Sequence, residues 1–268
     1  MSLIVTYKGN EILNLTASAQ KTLTTAGTYC EANIGINYTD ASIVTPVKDG
    51  KTRLYISIPT DCDLSKLPVT IYWNQSVSNG VLVDFGDDSP VRQNSNTGNI
   101  NMSHTYAAGG NYVITMTQQN SCVIKLGQGG TGTGILGETN NNTSTYRGVL
   151  YGMETGDGVT TLQTYCCQRS GGLKTIIFGK DITNINNYSF QECTGLGSIR
   201  FLGPTLPANA NIGATNVWSN IPAWCKVYVP SDYIDGQGNP QNIPSRMPST
   251  STYTYAVEPN AYPTSQGD

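Results

Sequence analysis

Between residues 150 and 201 the chain repeats itself at a fixed offset of 23 residues. Gly156 matches Gly179, Val159 matches Ile182, Leu162 matches Ile185, Tyr165 matches Tyr188 and Gln168 matches Gln191. The series continues through Leu173/Leu196, Thr175/Ser198, Ile176/Ile199 and Phe178/Phe201, and Leu150 extends the leucines one step back. A constant period in the 20s predicts a solenoid, because one such unit cannot bury its apolar face alone and stacked units share a ladder. Leu173, Ile176, Phe190, Leu196 and Ile199 are the expected core of that ladder. Cys193 is read as a buried ladder residue, not a reactive thiol. Two full units make a short array that needs caps.

The unit reads I-T-x-I-x-x-Y-x-F-x-x-C-x-x-L-x-x-I-x-F, from Ile182-Thr183-Asn184-Ile185 through Phe190, Cys193, Leu196 and Ile199 to Phe201. It closely resembles the BspA-type leucine-rich repeat, and Lys226-Val227-Tyr228-Val229-Pro230 resembles the K-I-Y-V-P strand that closes such arrays. The earlier copy departs from the pattern, with Cys167 in place of Phe190 and Ser170 in place of Cys193. BspA-type repeats occur in bacterial surface adhesins, surface proteins of some protists and bacteriophage structural proteins. The resemblance implies binding, not catalysis.

Upstream, Leu54/Ile56/Ile58, Val69/Ile71/Trp73, Val81/Val83/Phe85 and Tyr112/Ile114/Met116 alternate with polar residues, as strands with one buried face do. Within this set Val83-Asp84-Phe85-Gly86-Asp87-Asp88 precedes His104-Thr105-Tyr106 and then Gly110-Asn111-Tyr112-Val113-Ile114-Thr115-Met116. Over residues 51–126 this resembles the immunoglobulin-like PKD domain, with Asp88 replacing the customary glycine of the turn. The resemblance implies a sandwich with Tyr106 and Tyr112 packed inward, acting as a spacer or interaction module. Two readings of the acidic turn stand open. Its carboxylates suit Ca²⁺, or Asp84 and Asp87 close the turn through hydrogen bonds to backbone N–H groups.

At the N-terminus, Leu3-Ile4-Val5-Thr6-Tyr7, Ile12-Leu13-Asn14-Leu15 and Ile34-Gly35-Ile36-Asn37-Tyr38 read as short strands, the first two separated by a turn at Lys8-Gly9-Asn10. Residues Ser18 to Cys30 and Ile34 to Ile36 resemble a small module, K-T-L-x-T-A-G-K-Y-C-x-x-D-I-x-V, found in tail and other virion proteins of phages. Ala32-Asn33 replaces its usual acidic pair. A unit this small sits near the limit of independent folding, so it is expected to dock on a neighbour.

Charge and composition exclude several classes. The net charge of −3 and the absence of any Lys/Arg run argue against nucleic acid. No apolar stretch reaches membrane-spanning length. The opening residues carry no secretory pattern, with no basic head, apolar run or cleavage site. Seven cysteines (Cys30, Cys62, Cys122, Cys166, Cys167, Cys193, Cys225) and one histidine, His104, include no C-x-x-C, so no zinc site is expected and reduced, packed thiols are. The glycine-rich stretch 127–147 lacks a P-loop pattern and reads as a connector. No nucleophile signature surrounds His104. A carboxylate pair for glycan cleavage is a remote alternative.

The expected protein is mainly β, in three parts. Residues 1–45 form a small β anchoring module, 46–127 an immunoglobulin-like sandwich, and 128–268 a leucine-rich-repeat solenoid with a closing segment. The expected role is that of a non-catalytic, cofactor-free and metal-free virion protein of a tail, baseplate, fibre or capsid surface. It folds in the host cytoplasm, contacts other virion proteins and a host glycan or protein, and forms a homo-oligomer, a trimer by analogy with fibres. A BspA-type adhesin on a bacterial surface is the alternative. Ligand contact is placed on Trp218, Trp224, Tyr228 and Tyr233, because exposed aromatics anchor interfaces and stack on sugars; the competing reading has both tryptophans capping the ladder.

Overall fold

A computed structural model describes residues 3–7, 10–15, 46–58, 68–128, 132–137 and 148–263, the first two segments as backbone only. Among them the chain is almost entirely β. Strands β1 (Leu3–Tyr7) and β2 (Asn10–Leu15) pair antiparallel, Leu3 opposite Leu15 and Tyr7 opposite Asn10; Lys8 and Gly9 of the expected turn lie outside the described residues. The run at Ile34–Tyr38 and the rest of the small module lie outside the described residues.

Two larger sheets carry everything else. In chain order their strands are β3 (Thr52–Ile58), β4 (Val69–Gln75), β5 (Val81–Asp84), β6 (Arg92–Gln93), β7 (Gly98–His104), β8 (Gly110–Gln118) and β9 (Ile124–Leu126), then β10 (Leu150–Glu154), β11 (Val159–Leu162), β12 (Thr175–Phe178), β13 (Asn184–Ile185), β14 (Ser198–Phe201), β15 (Lys226–Val229) and β16 (Thr254–Val257). The nine-stranded sheet runs β16-β15-β14-β12-β10-β3-β8-β5-β6, and the five-stranded sheet β13-β11-β9-β4-β7. Each has an antiparallel half and a parallel half. β10 joins the halves of the first by lying antiparallel to β3 and parallel to β12. β9 does the same in the second, against β4 and β11. The division expected near residue 127 is therefore not a break in either sheet. One apolar core runs from Leu54 and Trp73 through Phe178 and Phe190 to Tyr255. The described parts of the glycine-rich stretch belong to it too: Ile135 and Leu136 are buried, and Ile135 bonds through its backbone to Tyr72 and Cys166.

The strands form where alternation lets one face leave water. Along β4, Val69, Ile71 and Trp73 point into the core, and Thr70, Tyr72 and Asn74 point out. The parallel half has a different cause, the repeat itself. β12 pairs with β14 so that Thr175, Ile176, Ile177 and Phe178 face Ser198, Ile199, Arg200 and Phe201, an offset of 23 residues at every pair. Polar side chains 23 apart also meet between neighbouring units: Gln168 with Gln191, Arg169 with Glu192, Lys180 with Asp157, and Asn186 with Gln163. Tyr165 and Tyr188 stack at 5.1 Å. Leu173, Ile176, Phe190, Leu196 and Ile199 are all fully buried. No helix among the described residues is long and apolar enough to cross a membrane.

A third unit follows at a longer spacing. β14 pairs with β15 and β15 with β16 at an offset of 28 (Ser198 to Lys226, then Lys226 to Thr254). The turn backbone repeats with it. Tyr165 and Arg169 have positive φ, as do Tyr188 and Glu192 one unit on, and Asn216 and Asn220 after that. Left-handed backbone is strained for tyrosine, arginine and glutamate, and asparagine tolerates it best.

The described body closes on itself. After β16 the chain returns across the outer face of the nine-stranded sheet. Glu258 is fully buried and takes a two-pronged bond from Arg200 (2.7 and 2.8 Å), and the Tyr262 N–H donates to the Leu202 carbonyl. This strap covers Ile177 and Leu202. Lys48, from the entry segment, sits 4.7 Å over the Tyr262 ring.

Candidate functional site

The four aromatic residues expected to contact a ligand do not form one exposed patch. Trp218 is only 8% exposed. It occupies the ladder position held by Cys167 and Phe190 in the two earlier units. Its backbone neighbour Val217 accepts from the Phe190 N–H, as Ser189 accepts from that of Cys167, and its indole stacks on Phe190 at 5.1 Å and 11°. A surface role for Trp218 is thus corrected: burial of an apolar ring against the open end of the ladder holds it inside. Tyr233 is partly buried against the core, with its hydroxyl accepting from the Leu206 N–H. Tyr228 faces outward on β15 with the Arg200 guanidinium 5.3 Å from its ring centre. Trp224 alone is broadly exposed, at 70%. It precedes Cys225, which fills the ladder and makes the Cys225 N–H to Pro222 carbonyl bond that parallels Leu196 to Cys193.

A concave site lies nearby, where the five-stranded sheet stops. Beyond β13 the next unit contributes one bridge, Ile185 to Ile212, instead of a strand. Pro204 and Pro207 lead into a 3₁₀ turn at Asn209–Asn211, and proline cannot donate to a ladder. The unfilled edge opens a pocket of about 270 Å³, lined by Thr164, Asn184, Asn186, Asn187, Asn211 and Arg246. Ile212, Gly213, Ala210 and Ala214 complete it. The closing segment places Arg246: its N–H donates to Asn209 Oδ1, its Nη1 to the Ile212 carbonyl, and its own carbonyl accepts from Trp218 Nε1. The Trp218 indole thus holds the backbone at Arg246. The lining amides and Arg246 carry no repeat signature in the sequence.

Elsewhere among the described residues several polar groups bond within the fold. In the acidic turn Asp84 accepts from the Gly86 N–H at 2.8 Å, and Asp87 accepts from the Ser89 N–H and pairs with His104 Nε2 at 2.7 Å. Burial acts to raise the Asp87 pKa, but the bonds from Ser89 and His104 outweigh it and hold the group below its ordinary value. Asp88 sits at φ +63, the left-handed backbone that a glycine would give the turn. Among the described residues no group of three or more His, Cys, Asp or Glu is arranged to hold a metal. Tyr106 is buried with its hydroxyl on the Phe85 carbonyl, and it stacks on Tyr112. Cys122, Cys166, Cys167, Cys193 and Cys225 are buried thiols, and burial pushes that of Cys225 up to about 12. Cys30 and Cys62 lie outside the described residues.

A buried carboxylate ties the entry segment to the body. Glu154 Oε1 accepts from the N–H groups of Val47 and Lys48, and Oε2 lies 3.6 Å from Arg53 Nη1, which also binds Asp49. Burial raises the Glu154 pKa despite these donors. Comparison with known proteins adds no identity: no family model, no curated protein and no solved structure matches the chain.

Proposed function

We propose that the chain is a non-catalytic structural and adhesion protein of a bacteriophage virion. In this reading a tail-type β module (1–45) precedes a PKD-like sandwich (46–127), which is fused to a BspA-type leucine-rich-repeat domain (128–268). The observation that carries it is the register of the parallel strands. Units resembling the BspA-type repeat lie 23 residues apart in sequence and one strand apart in space, with Leu173 and Leu196 both fully buried. The likeness of residues 18–36 to a phage tail module supports the particle assignment. Five buried thiols support folding in a reducing compartment, where virion proteins are made.

Mass spectrometry of purified particles tests the assignment. The chain is expected among the virion proteins at stoichiometric level, as a homo-oligomer. Its absence there, with presence on a bacterial envelope, transfers the role to a cell-surface adhesin. Deleting residues 1–45 is expected to abolish incorporation into particles, and a truncated chain that still incorporates places the anchor elsewhere.

A further inference from the structure

We propose that the pocket at the end of the five-stranded sheet binds an anionic saccharide, its hydroxyls held by asparagine amides and its carboxylate or phosphate by Arg246. The proposal rests on the reading of the chain as a binding module and names the ligand class of one site on it. Three features select that class. First, the lining is hydrogen-bonding, not apolar. Asn184, Asn186, Asn187 and Asn211 supply four amides, each a donor and acceptor pair of the kind that meets neighbouring sugar hydroxyls. Several of these atoms take no bond from the described residues, namely Oδ1 of Asn184, Oδ1 of Asn186, Nδ2 of Asn187 and the whole Asn211 amide.

Second, the site carries one charge. Among the described lining residues Arg246 is the only ionic group, and no carboxylate opposes it. One of its guanidinium nitrogens is spent on the Ile212 carbonyl, and Nε and Nη2 make no bond to the described residues. A guanidinium edge of that kind matches carboxylate or phosphate. Third, size and shape exclude the competing occupants. A volume of about 270 Å³ is slightly below that of drug-sized-ligand sites and suits a single sugar unit of a longer chain. Ile212, Ala210 and Ala214 are too small or too buried to anchor a peptide side chain. Among the described residues no aromatic ring lines the site for a base to stack on.

The site is also built. Asn184 and Asn186 belong to or follow β13, and the Asn186 amide is fixed by Gln163 of the preceding unit at 3.2 Å. Asn187 Oδ1 accepts from the Thr215 N–H, and the Gly213 N–H donates to the Ile185 carbonyl. A Cβ on Gly213 would stand 2.5 Å from the Asn187 backbone nitrogen, so the floor closes only with glycine there.

The full-length chain, its Ala214→Trp variant and its Arg246→Gln variant are applied to an array of carboxylated, phosphorylated and neutral saccharides and acidic peptides. Thermal unfolding first establishes that each variant folds. Ala214 is exposed at the pocket, so a tryptophan there obstructs the site without entering the core. The wild-type chain is expected on carboxylated or phosphorylated sugars, whichever the true ligand carries. Arg246→Gln should weaken that retention about tenfold or more, the cost of one charge-assisted bond, and Ala214→Trp should weaken it at least as much. Retention on neutral sugars only, equal retention on acidic peptides, no retention at all, or retention unchanged by Ala214→Trp each overturns the proposal. Presence in particles without anionic-sugar binding overturns the ligand and leaves the virion role. Sugar binding by a chain missing from particles does the reverse.

Discussion

Replacing Leu196 by alanine tests both the ladder and the continuity of the core. Leu196 is fully buried between the flanking units, which present Leu173 on one side and Cys225 on the other. The change removes about three methyl or methylene groups at ~0.8 kcal/mol each, or ~2.4 kcal/mol of transfer energy. A rigid cavity adds to that, since strands on both sides are pinned in register and collapse little, giving ~3–4 kcal/mol in all. For a cooperative body of this size that lowers Tm by roughly 6–16 °C. Because Leu196 shares one core with Trp73 and Leu54, the whole transition should move together. Differential scanning calorimetry with near-ultraviolet circular dichroism reads both quantities. Thr194→Ala, at an exposed position two residues away, is the control and should stay within ~0.5 kcal/mol. A loss below ~0.5 kcal/mol for Leu196→Ala refutes the ladder assignment. Two resolved transitions, of which only one shifts, refute the single core.

Trp218→Ala should cost ~3–5 kcal/mol and Trp224→Ala within ~0.5 kcal/mol by urea unfolding, and acrylamide should quench the Trp224 emission while sparing the buried rings. Burial raises the Glu154 pKa, so that residue contributes stability that is complete below the ordinary value of 4.5 and declines as pH rises through its raised value. Glu154→Gln keeps an acceptor for Val47 and Lys48 and should therefore raise Tm more at pH 7 than at pH 4.5; an equal change at both refutes the burial argument. Asp49 and Asp87 titrate in the opposite sense, their pKa values being lowered, so acid should destabilise the protein below 3.8 whatever residue 154 is. With Cys30 and Cys62 replaced by serine, a thiol reagent at pH 8 should modify the native chain only at its unfolding rate, and rapid labelling would contradict the buried thiols.

Much of the fold was legible because it is periodic. A strand needs alternation and a coil of stacked units needs a fixed offset, and both are properties of residue order alone. Leu54/Ile56/Ile58 and the 23-residue match from Gly156 to Phe201 announced β3, β12 and β14, and Lys226–Val229 announced β15 through its likeness to a closing strand. The third unit is hidden in the sequence because its offset stretches to 28 and its ladder residue is Trp218, which shares only bulk with Phe190. Tertiary structure alone decided three things. It ran both sheets across the boundary expected near residue 127, since pairing β10 with β3 and β9 with β4 satisfies strand edges that would otherwise stand open. It sent Trp218 inward and left Trp224 outside, a choice between two identical side chains made by which one follows the turn over Phe190. And it assembled the pocket from residues 164, 184–187, 210–214 and 246, which no local pattern links. Their proximity comes from the shrinking of the next strand to the single bridge of Ile185 with Ile212, and a missing strand leaves its mark only in space.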